Sequence, residues 1–341
     1  MFILNLQLLA NMNTNVTTAN TTGNHLTPEM KTFYDMTLLD EAGPALVHDQ
    51  FGQKRPIPKN GGKTIEFRKF SPLAKATTAI TEGVTPDGGK LDVTAVTATV
   101  AQYGYYIVQS DVLELTALDN TILEATKLLG RQAGITLDTI TRDVLVAGSN
   151  VTYCPKIGAG GAETAVTSRA DLDATAQLTV DVVQQVVAKL RAKNAPTING
   201  DYVAIIHPYV AYDLMRDPEW IDAHKYAQPE NLYSGEIGKI AGVRFVQTTE
   251  AKIWTGSGCP SGLAVFASLF LGDGAFGVTE VTGGGLQTIV KQKGSAGTAD
   301  PLDQRSSVGW KAIKVAERLI EPYMVRVESC SKRFSATAVA N

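Results

Sequence analysis

The sequence has few of the residues from which catalytic and metal sites are built. Among 341 residues there are three cysteines and four histidines. Cys154, Cys259 and Cys330 are far apart and form no CxxC pair, which excludes a zinc knuckle or a thioredoxin-like motif. Their odd number excludes a complete set of internal disulfides, so reduced, buried thiols are the simpler interpretation. No two histidines have a metal-ligand spacing such as HExxH.

Excess charge and long apolar runs are also absent. Lys and Arg number 31 against 34 Asp and Glu, giving a net charge of -3. A protein that grips nucleic acid by its phosphates is normally basic or has a basic face, and this balance shows no sign of that. No run of 18 apolar residues occurs, so the sequence predicts no membrane span. The 44% hydrophobic and 19% charged residues are typical of a globular protein.

The first 28 residues read as an arm. Residues 1–10 are apolar but are interrupted by Asn5 and Gln7, and no Lys or Arg precedes them as a secretory signal requires. A short strand that docks on an apolar surface is the simpler interpretation. Residues 11–28 are rich in Asn and Thr and have little to bury, so we expect order only where a surface receives them.

A helix and a long hairpin are predicted next. Apolar spacing predicts a helix over residues 28–50 with a kink at Gly43 and Pro44. Residues 63–70 and 93–108 alternate as strands, the second with a bulge at Ala95 and Val96. Because an isolated hairpin is marginal in water and its loop of about twenty residues is unusually long, the pattern indicates that a partner subunit holds it.

The two limbs of this hairpin differ in charge. Residues 51–79 are basic apart from Glu66, and residues 80–119 are acidic apart from Lys90. Cross-strand pairing inside the hairpin and complementarity between neighbouring subunits both fit this pattern, and both interpretations stay open. The charged residues predicted to contact other subunits here are Lys54, Arg55, Lys59, Arg68, Lys75, Glu82, Asp87 and Asp92.

A long helix and a second unit follow. Residues 120–147 predict a helix of about 40 Å, with a capping box at Thr121 and Glu124 and Leu128 in its apolar stripe. Residues 171–320 predict an α+β domain, beginning with a helix capped by Thr179. A second helix is predicted at 208–216, and strands at 202–206, 243–247, 263–271, 286–291, 311–319 and 323–328.

No convincing catalytic constellation emerges. The glycine-rich run at 272–277 lacks the GKS/T ending of a phosphate loop. His207 precedes Pro208, where a capping role is simpler than a general base. Asp300, Asp303 and Arg305 could share acid and base duties, but a loop held by an Asp–Arg pair is simpler. The sequence therefore predicts no catalytic residue, no cofactor and no metal.

Several longer motifs carry a family resemblance. They are residues 51–67 (FGQKRPIPKNGGKTIEF), 81–88 (TEGVTPDG), 102–104 (QYG), 110–112 (SDV), 240–245 (IAGVRF), 300–305 (DPLDQR) and 309–311 (GWK). With the element order, they make the chain resemble the major capsid proteins of tailed double-stranded DNA bacteriophages, which have the Hong Kong 97-type fold. More narrowly, the chain resembles the N4-type major capsid family. The resemblance covers roughly residues 28–330.

The resemblance implies an α+β, Hong Kong 97-like capsid fold with four parts. Residues 1–52 would be the N-terminal arm and helix, and residues 53–108 the extended β-hairpin loop that overlies a neighbouring subunit. Residues 109–170, completed by 321–341, would form the peripheral domain with its long spine helix. Residues 171–320 would be the axial domain, which packs around the five-fold and six-fold vertices.

The resemblance also implies a function. The chain would be a structural subunit of the virion of a phage or prophage, assembled in the bacterial host cytoplasm as pentamers and hexamers of an icosahedral shell. Portal and scaffolding proteins would be partners, and the shell would enclose double-stranded DNA through weak, non-specific contacts. Asp300 and Arg305 join the predicted subunit contacts. The alternatives are an encapsulin-like nanocompartment shell of the same fold, or an enzyme using Asp300, Asp303, Arg305 and His207.

Overall fold

A computed structural model describes most of the chain. The described residues are 18–19, 25–26, 38, 41–42, 46–56, 63–70, 73, 75–80, 82–83, 85, 88–116, 121–158, 160–227, 238–280, 286–295 and 300–341. The chain divides into two compact units. The first unit comprises Met1–Leu46, Gln102–Leu137 and Val281–Lys314, and the second comprises Val47–Ala101, Asp138–Glu280 and Val315–Asn341. The four parts that the resemblance implies are defined by their roles in a capsid and not by contacts within the chain, so that division stays a prediction.

Helices and strands are numbered in chain order within the described residues. The helices are α1 (Asp111–Thr116), α2 (Thr121–Val146), α3 (Val180–Ala192), α4 (Pro208–Met215) and α5 (Pro218–Ala227). The first ten strands are β1 (Thr18–Ala19), β2 (His25–Leu26), β3 (Gln53–Arg55), β4 (Thr64–Phe70), β5 (Val93–Thr99), β6 (Ala101–Ser110), β7 (Val151–Tyr153), β8 (Lys156–Ile157), β9 (Glu163–Thr164) and β10 (Tyr202–Ile206). The remaining strands are β11 (Lys239–Ile240), β12 (Val243–Gln247), β13 (Ile253–Trp254), β14 (Val265–Leu271), β15 (Phe276–Thr279), β16 (Leu286–Lys291), β17 (Arg305–Lys314), β18 (Ala316–Arg318) and β19 (Met324–Ser329).

A mixed sheet forms the core of the second unit. Its strand order is β11-β12-β10-β14-β19-β7, and β13 pairs with β14. Strand β10 runs parallel to β12 and antiparallel to β14. Every residue of β10 and β14 is buried, which requires cover on both faces. Helices α3 and α4 supply apolar side chains to one of the two clusters that flank the sheet.

The predicted helix starts of this unit are confirmed. The Thr179 side chain accepts a hydrogen bond from the Val182 N–H at 3.4 Å at the start of α3. At the start of α4, His207 Nδ1 accepts from the Tyr209 N–H at 3.2 Å. His207 is therefore a capping residue, as predicted.

Strand ends were predicted less well. The strand predicted at 311–319 is two strands, because β17 ends at Lys314 and β18 begins at Ala316. At the break, Val315 N–H donates to the Thr279 hydroxyl at 3.1 Å, so the backbone leaves the β16–β17 ladder to meet β15. The strand predicted from residue 263 begins at Val265, because the Leu263 N–H closes a turn onto the Pro260 carbonyl.

The hairpin forms, but not with the predicted bulge. Strands β4 and β5 pair in unbroken register from Thr64 opposite Thr99 to Phe70 opposite Val93, straight past the predicted bulge at Ala95 and Val96. The break between β5 and β6 falls at Val100, whose N–H donates to the Lys63 carbonyl at 2.9 Å. Only Ala98 of β5 is buried and Val96, on the same face, is half-buried, so the alternation marks a packed face only near the base of the hairpin.

The long helix of residues 120–147 is confirmed as α2, but its predicted capping box is wrong. The Thr121 hydroxyl donates to Gln109 Oε1 at 3.2 Å, and Glu124 pairs with Lys127 at 2.9 Å. Leu128 is exposed, although its spacing placed it in the apolar stripe. Much of the helix predicted at residues 28–50 lies outside the described residues, and its end, His48–Phe51, is a 3-10 turn.

Candidate functional site

The base of the hairpin is fixed within the second unit by one aromatic side chain. Phe67 of β4 is fully buried and clusters with Ile65 and Ala98. Its ring lies over Gly277 of β15, where an added Cβ would come within 2.4 Å of the ring. Only a glycine allows this approach, so the sequence places a glycine where the hairpin packs on the three-stranded sheet β18-β15-β3.

A second anchor lies just before β3. The His48 N–H and the His48 Nδ1 are each 2.7 Å from an oxygen of Asp138, and both side chains are fully buried. The Thr141 hydroxyl donates to Asp49 Oδ1 at 2.6 Å. These buried polar contacts hold the chain where it enters the hairpin. Sequence reasoning missed them, because Asp138 and Thr141 read as polar positions of an amphipathic helix.

The far end of the hairpin is different, and we call residues 71–92 the outer hairpin. Its described apolar side chains are exposed: Leu73 by 66%, Ile80 by 75% and Leu91 by 63%. Burying such side chains is the main source of stability in folding and association. Large exposed apolar patches mark interaction surfaces in many proteins, so these three side chains are candidates for contact with another surface.

Charged residues of the hairpin are placed on its exposed surface. Lys54, Arg68, Lys75, Glu82 and Asp92 are exposed, Arg55 is half-buried, and Lys59 and Asp87 lie outside the described residues. Arg68 Nε lies 3.2 Å from Glu66 Oε1 on the same strand. The residues opposite this pair on β5 are Ala95 and Thr97, which carry no charge. This ion pair therefore does not join the basic limb to the acidic limb.

Asp300 and Arg305 come together, as the loop interpretation predicts. Asp300 Oδ2 accepts a hydrogen bond from the Arg305 N–H at 2.8 Å, and Arg305 Nε is 3.7 Å from the same oxygen. The Asp303 N–H donates to the Asp300 carbonyl, which closes a turn. Asp303 adopts a φ of 51°, a conformation that Asp tolerates better than most residues. The carboxylate of Asp300 thus organises this loop.

The sheet of the first unit has an unusual outer face. Its strand order is β16-β17-β6. One face is buried and carries Trp310, whose indole N–H donates to Gln132 Oε1 of α2 at 3.0 Å. On the opposite face, Gly309 pairs with Ile289 of β16. A Cβ at Gly309 would come within 2.7 Å of the Tyr106 Cβ, so Tyr106 of β6 flanks the same glycine.

Because glycine has no side chain, Gly309 and Gly104 leave a hollow on this face, which we call the outer depression. Its volume is about 410 Å³. A Cβ at Gly104 would lie 2.7 Å from the Trp310 carbonyl oxygen, so this second glycine also brings β6 close to β17. The residues that line it are Gly104, Tyr105, Tyr106, Ile289, Lys291, Ser307, Gly309, Trp310 and Lys311. Two of the sequence motifs, at 102–104 and 309–311, meet here, but their pairing across the sheet could not be read from the sequence.

Groups suited to chemistry are few among the described residues. Burial raises the pKa of Cys330 to about 12 and also raises the pKa of Cys154, which keeps both thiols protonated. Burial lowers the pKa of His207 to about 4, which suits its role as a neutral hydrogen-bond acceptor. In the part of the chain that is described, no group of three or more His, Cys, Asp or Glu could hold a metal ion. Nor does any described helix combine the length and hydropathy needed to cross a membrane.

Comparison with known proteins identifies the family. The model of a phage capsid protein family matches residues 30–295. The chain therefore belongs to the phage capsid protein family, and it is a structural capsid subunit rather than an enzyme. No curated protein sequence matches it.

Solved capsid structures share its fold at low sequence identity. The capsid of cyanophage P-SCSP1u is 14% identical with a TM-score of 0.62, covering 82% of this chain and 87% of that one. The capsid of Ralstonia phage GP4 is 13% identical with a TM-score of 0.60, covering 81% and 85%. The cyanophage Pam1 capsid is 15% identical with a TM-score of 0.61, covering 93% and 97%. These likenesses confirm the α+β, Hong Kong 97-like fold predicted from the sequence.

Proposed function

We propose that this chain builds a closed icosahedral shell around double-stranded phage DNA. One observation carries the proposal: the hairpin is anchored at its base by Phe67 but exposes Leu73, Ile80 and Leu91 along its outer part. A segment that is anchored by a buried side chain at its base and has exposed apolar side chains along its outer part is suited to bind a neighbouring subunit. Many such contacts, each weak, add up in a closed assembly.

The parts of the chain take the roles that the resemblance implies. Residues 53–108 overlie a neighbouring subunit, residues 109–170 with 321–341 form the peripheral domain, and residues 171–320 pack around the vertices of pentamers and hexamers. The exposed charges of the hairpin, from Lys54 to Asp92, set the docking register between neighbours more than the affinity. Asp300 and Arg305 order a loop that contacts another subunit.

Portal and scaffolding proteins are the proposed assembly partners, with assembly in the host cytoplasm and the virion as the final location. The net charge of -3 fits a shell that holds DNA weakly, since each neutralised phosphate would add affinity and hinder packaging and release. A strong, salt-dependent DNA affinity of the isolated subunit would contradict this part of the proposal.

Electron microscopy of the purified protein, expressed with and without its neighbouring genes, tests the proposal. We expect closed shells of uniform diameter, and nuclease-protected DNA when portal and packaging genes are present. Small oligomers under every condition would overturn the proposal. Uniform shells filled with a co-expressed enzyme and free of DNA would favour the encapsulin-like alternative instead.

A further inference from the structure

We propose that the outer depression binds an extended, acidic segment of a different protein. One apolar side chain of that segment fills the hollow, and a carboxylate on either side of it pairs with Lys291 or Lys311. The residues that would bind the segment all belong to the first unit. Such a partner would act beside the shell contacts of the proposed function, and its binding can be measured on free subunits, without shells.

The sheet that carries the depression has cations and no acids. Strands β16, β17 and β6 contain no Asp or Glu along their whole length. Their basic residues are Lys291, Arg305, Lys311 and Lys314, of which Lys314 is buried. A surface of this composition attracts acidic partners and repels basic ones.

Two exposed lysines of this sheet have no acidic partner. Among the described residues, no carboxylate oxygen lies within 4.0 Å of the side-chain nitrogen of Lys291 or Lys311. The neighbouring cations are already paired: Arg305 Nε lies 3.7 Å from Asp300 Oδ2, and Lys293 Nζ lies 2.9 Å from Glu114 Oε2. Carboxylates that a partner brings to this face would therefore meet Lys291 and Lys311.

The other acids near the sheet lie at one end of it. Asp111 directly follows β6, and its N–H donates to the Gln304 carbonyl at 2.9 Å, next to the start of β17. Asp303 is exposed on the turn just before β17. Lys311 lies toward the other end of β17, so the face is most positive there.

The two lysines flank the hollow at a spacing that suits an extended peptide. Along the β16–β17 ladder, Lys291 lies opposite Ser307, Ile289 opposite Gly309 and Gln287 opposite Lys311. The lysines are therefore on one face and four residue positions apart, about 14 Å, with the hollow between them. In an extended peptide, residues i, i+2 and i+4 point to one side and cover the same span. An acid, an apolar residue and a second acid at these positions match lysine, hollow and lysine.

The hollow favours a peptide over nucleic acid. Its walls include Tyr106, which is 69% exposed, and Ile289, which is 40% exposed, and its floor is backbone at Gly309. An apolar side chain that fills such a pocket and excludes water can supply much of the binding energy. Double-stranded DNA has no side chain to fill the hollow, and neutralising its phosphates with two lysines would give only a weak affinity.

The exposed segments of this chain match the face poorly. The outer hairpin carries Lys75 and Lys90 as well as Glu82 and Asp92, all of them exposed, so its charges are mixed. Residues 1–28 have no Asp or Glu. Neither segment has an apolar residue with an acid two positions to each side, so a different protein is the better match.

Fluorescence anisotropy on purified, full-length free subunits tests the inference. The probe is a labelled peptide of about nine residues with Phe at its centre, Glu two positions to either side, and Ser and Gly elsewhere. One control peptide has Lys in place of Glu, and another has Ala in place of Phe. The variant Lys291→Glu/Lys311→Glu is compared with Lys193→Glu/Lys332→Glu, which reverses two exposed lysines outside the depression. Ile289→Arg fills the hollow and adds positive charge.

We expect the probe to bind the unmodified chain at least about tenfold more tightly than either control peptide. Lys291→Glu/Lys311→Glu should remove this preference, and the matched variant should keep it. Ile289→Arg should weaken binding despite its added charge, whereas binding by charge alone would become tighter. Equal binding of the three peptides to the unmodified chain would overturn the inference, whether or not the variants fold.

Two other occupants would also overturn the inference. A short DNA duplex that binds through Lys291 and Lys311, when the probe does not, would assign the face to nucleic acid. Oligomers of the unmodified chain that are lost in Lys291→Glu/Lys311→Glu, measured by sedimentation, would assign it to a second copy. Shell formation is measured separately, so none of these results bears on the proposed function.

Discussion

The central sheet and the hairpin of the second unit use apolar residues in opposite ways. Strands β10 and β14 are buried at every position, so their apolar side chains stabilise the folded chain. In β5 only Ala98 is buried, and the outer hairpin leaves its described apolar residues exposed. The same residue types therefore serve folding in one region and, in our account, assembly in the other. Four predictions follow from this comparison, one made with a deletion and three with point substitutions.

The largest effect is expected from removing the outer hairpin. Deleting residues 71–89 leaves three residues between Phe70 and Val93, which already pair, so a short hairpin can close. We expect the shortened chain to fold with a near-native circular dichroism spectrum and a cooperative thermal transition. Shells should be absent by electron microscopy, because the contact that they need is gone. Intact shells from this deletion would refute the division.

A matched pair of side-chain truncations tests the division between folding and assembly more sharply. Phe270→Ala in β14 should lower the free energy of unfolding by about 3–5 kcal/mol, because it opens a cavity in a filled core. Ile80→Ala, at a position that is 75% exposed, should change it by less than about 0.5 kcal/mol. Denaturant titration measures both. The assembly yield should fall with Ile80→Ala, and an unchanged yield would count against the outer hairpin.

The cap of α4 should make stability depend on pH. Burial lowers the pKa of His207 from 6.5 to about 4, so the folded state binds fewer protons than the unfolded state between these values. The stabilisation that neutral His207 contributes is fully present above pH 6.5 and is lost as the pH falls toward 4. The free energy of unfolding falls by about 3 kcal/mol at most from this cause. His207→Gln keeps an acceptor but does not titrate. We therefore compare the free energy of unfolding of the original chain and of His207→Gln as a function of pH. The advantage of the original chain should shrink or reverse at low pH, and a constant difference at every pH would contradict the argument.

A smaller effect is expected at the base of the hairpin. Gly277→Ala places a Cβ against the Phe67 ring, so the base of the hairpin must shift, at a cost of about 1–3 kcal/mol. Gly274→Ala is not an equal control because Gly274 has a positive φ of 69°. Gly158→Ala is better matched, since its nearest contact would be 3.4 Å away. Equal unfolding free energies for Gly277→Ala and Gly158→Ala would show that Phe67 does not depend on this glycine.

Much of the fold was predictable because burial leaves a pattern in the sequence: a helical period where one face is buried, and a continuous apolar run where both faces of a strand are covered. The strand of residues 202–206 and the long helix of 120–147 came out close to their observed bounds. Where side chains are exposed, apolar spacing is a poor guide. It predicted a bulge at Ala95, where the strands pair without a break, and a buried position at Leu128, which is exposed. The candidate site was harder to predict, since long-range pairing creates it.

Two examples show why. Nothing local indicates that Gly309 lies against Tyr106, some two hundred positions away, or that His48 pairs with Asp138. The motifs at 102–104 and 309–311 gave a signal that those residues matter, but the hollow between them appears only once β6 and β17 are placed side by side.

Hydroxyl-radical footprinting of the free subunit and of the assembled shell tests the central claim most directly. We predict that Leu73, Ile80 and Leu91 lose most of their reactivity on assembly. The buried residues of β10 and β14 should be unreactive in both states. Equal reactivity of the outer hairpin in free subunits and in shells would contradict the account.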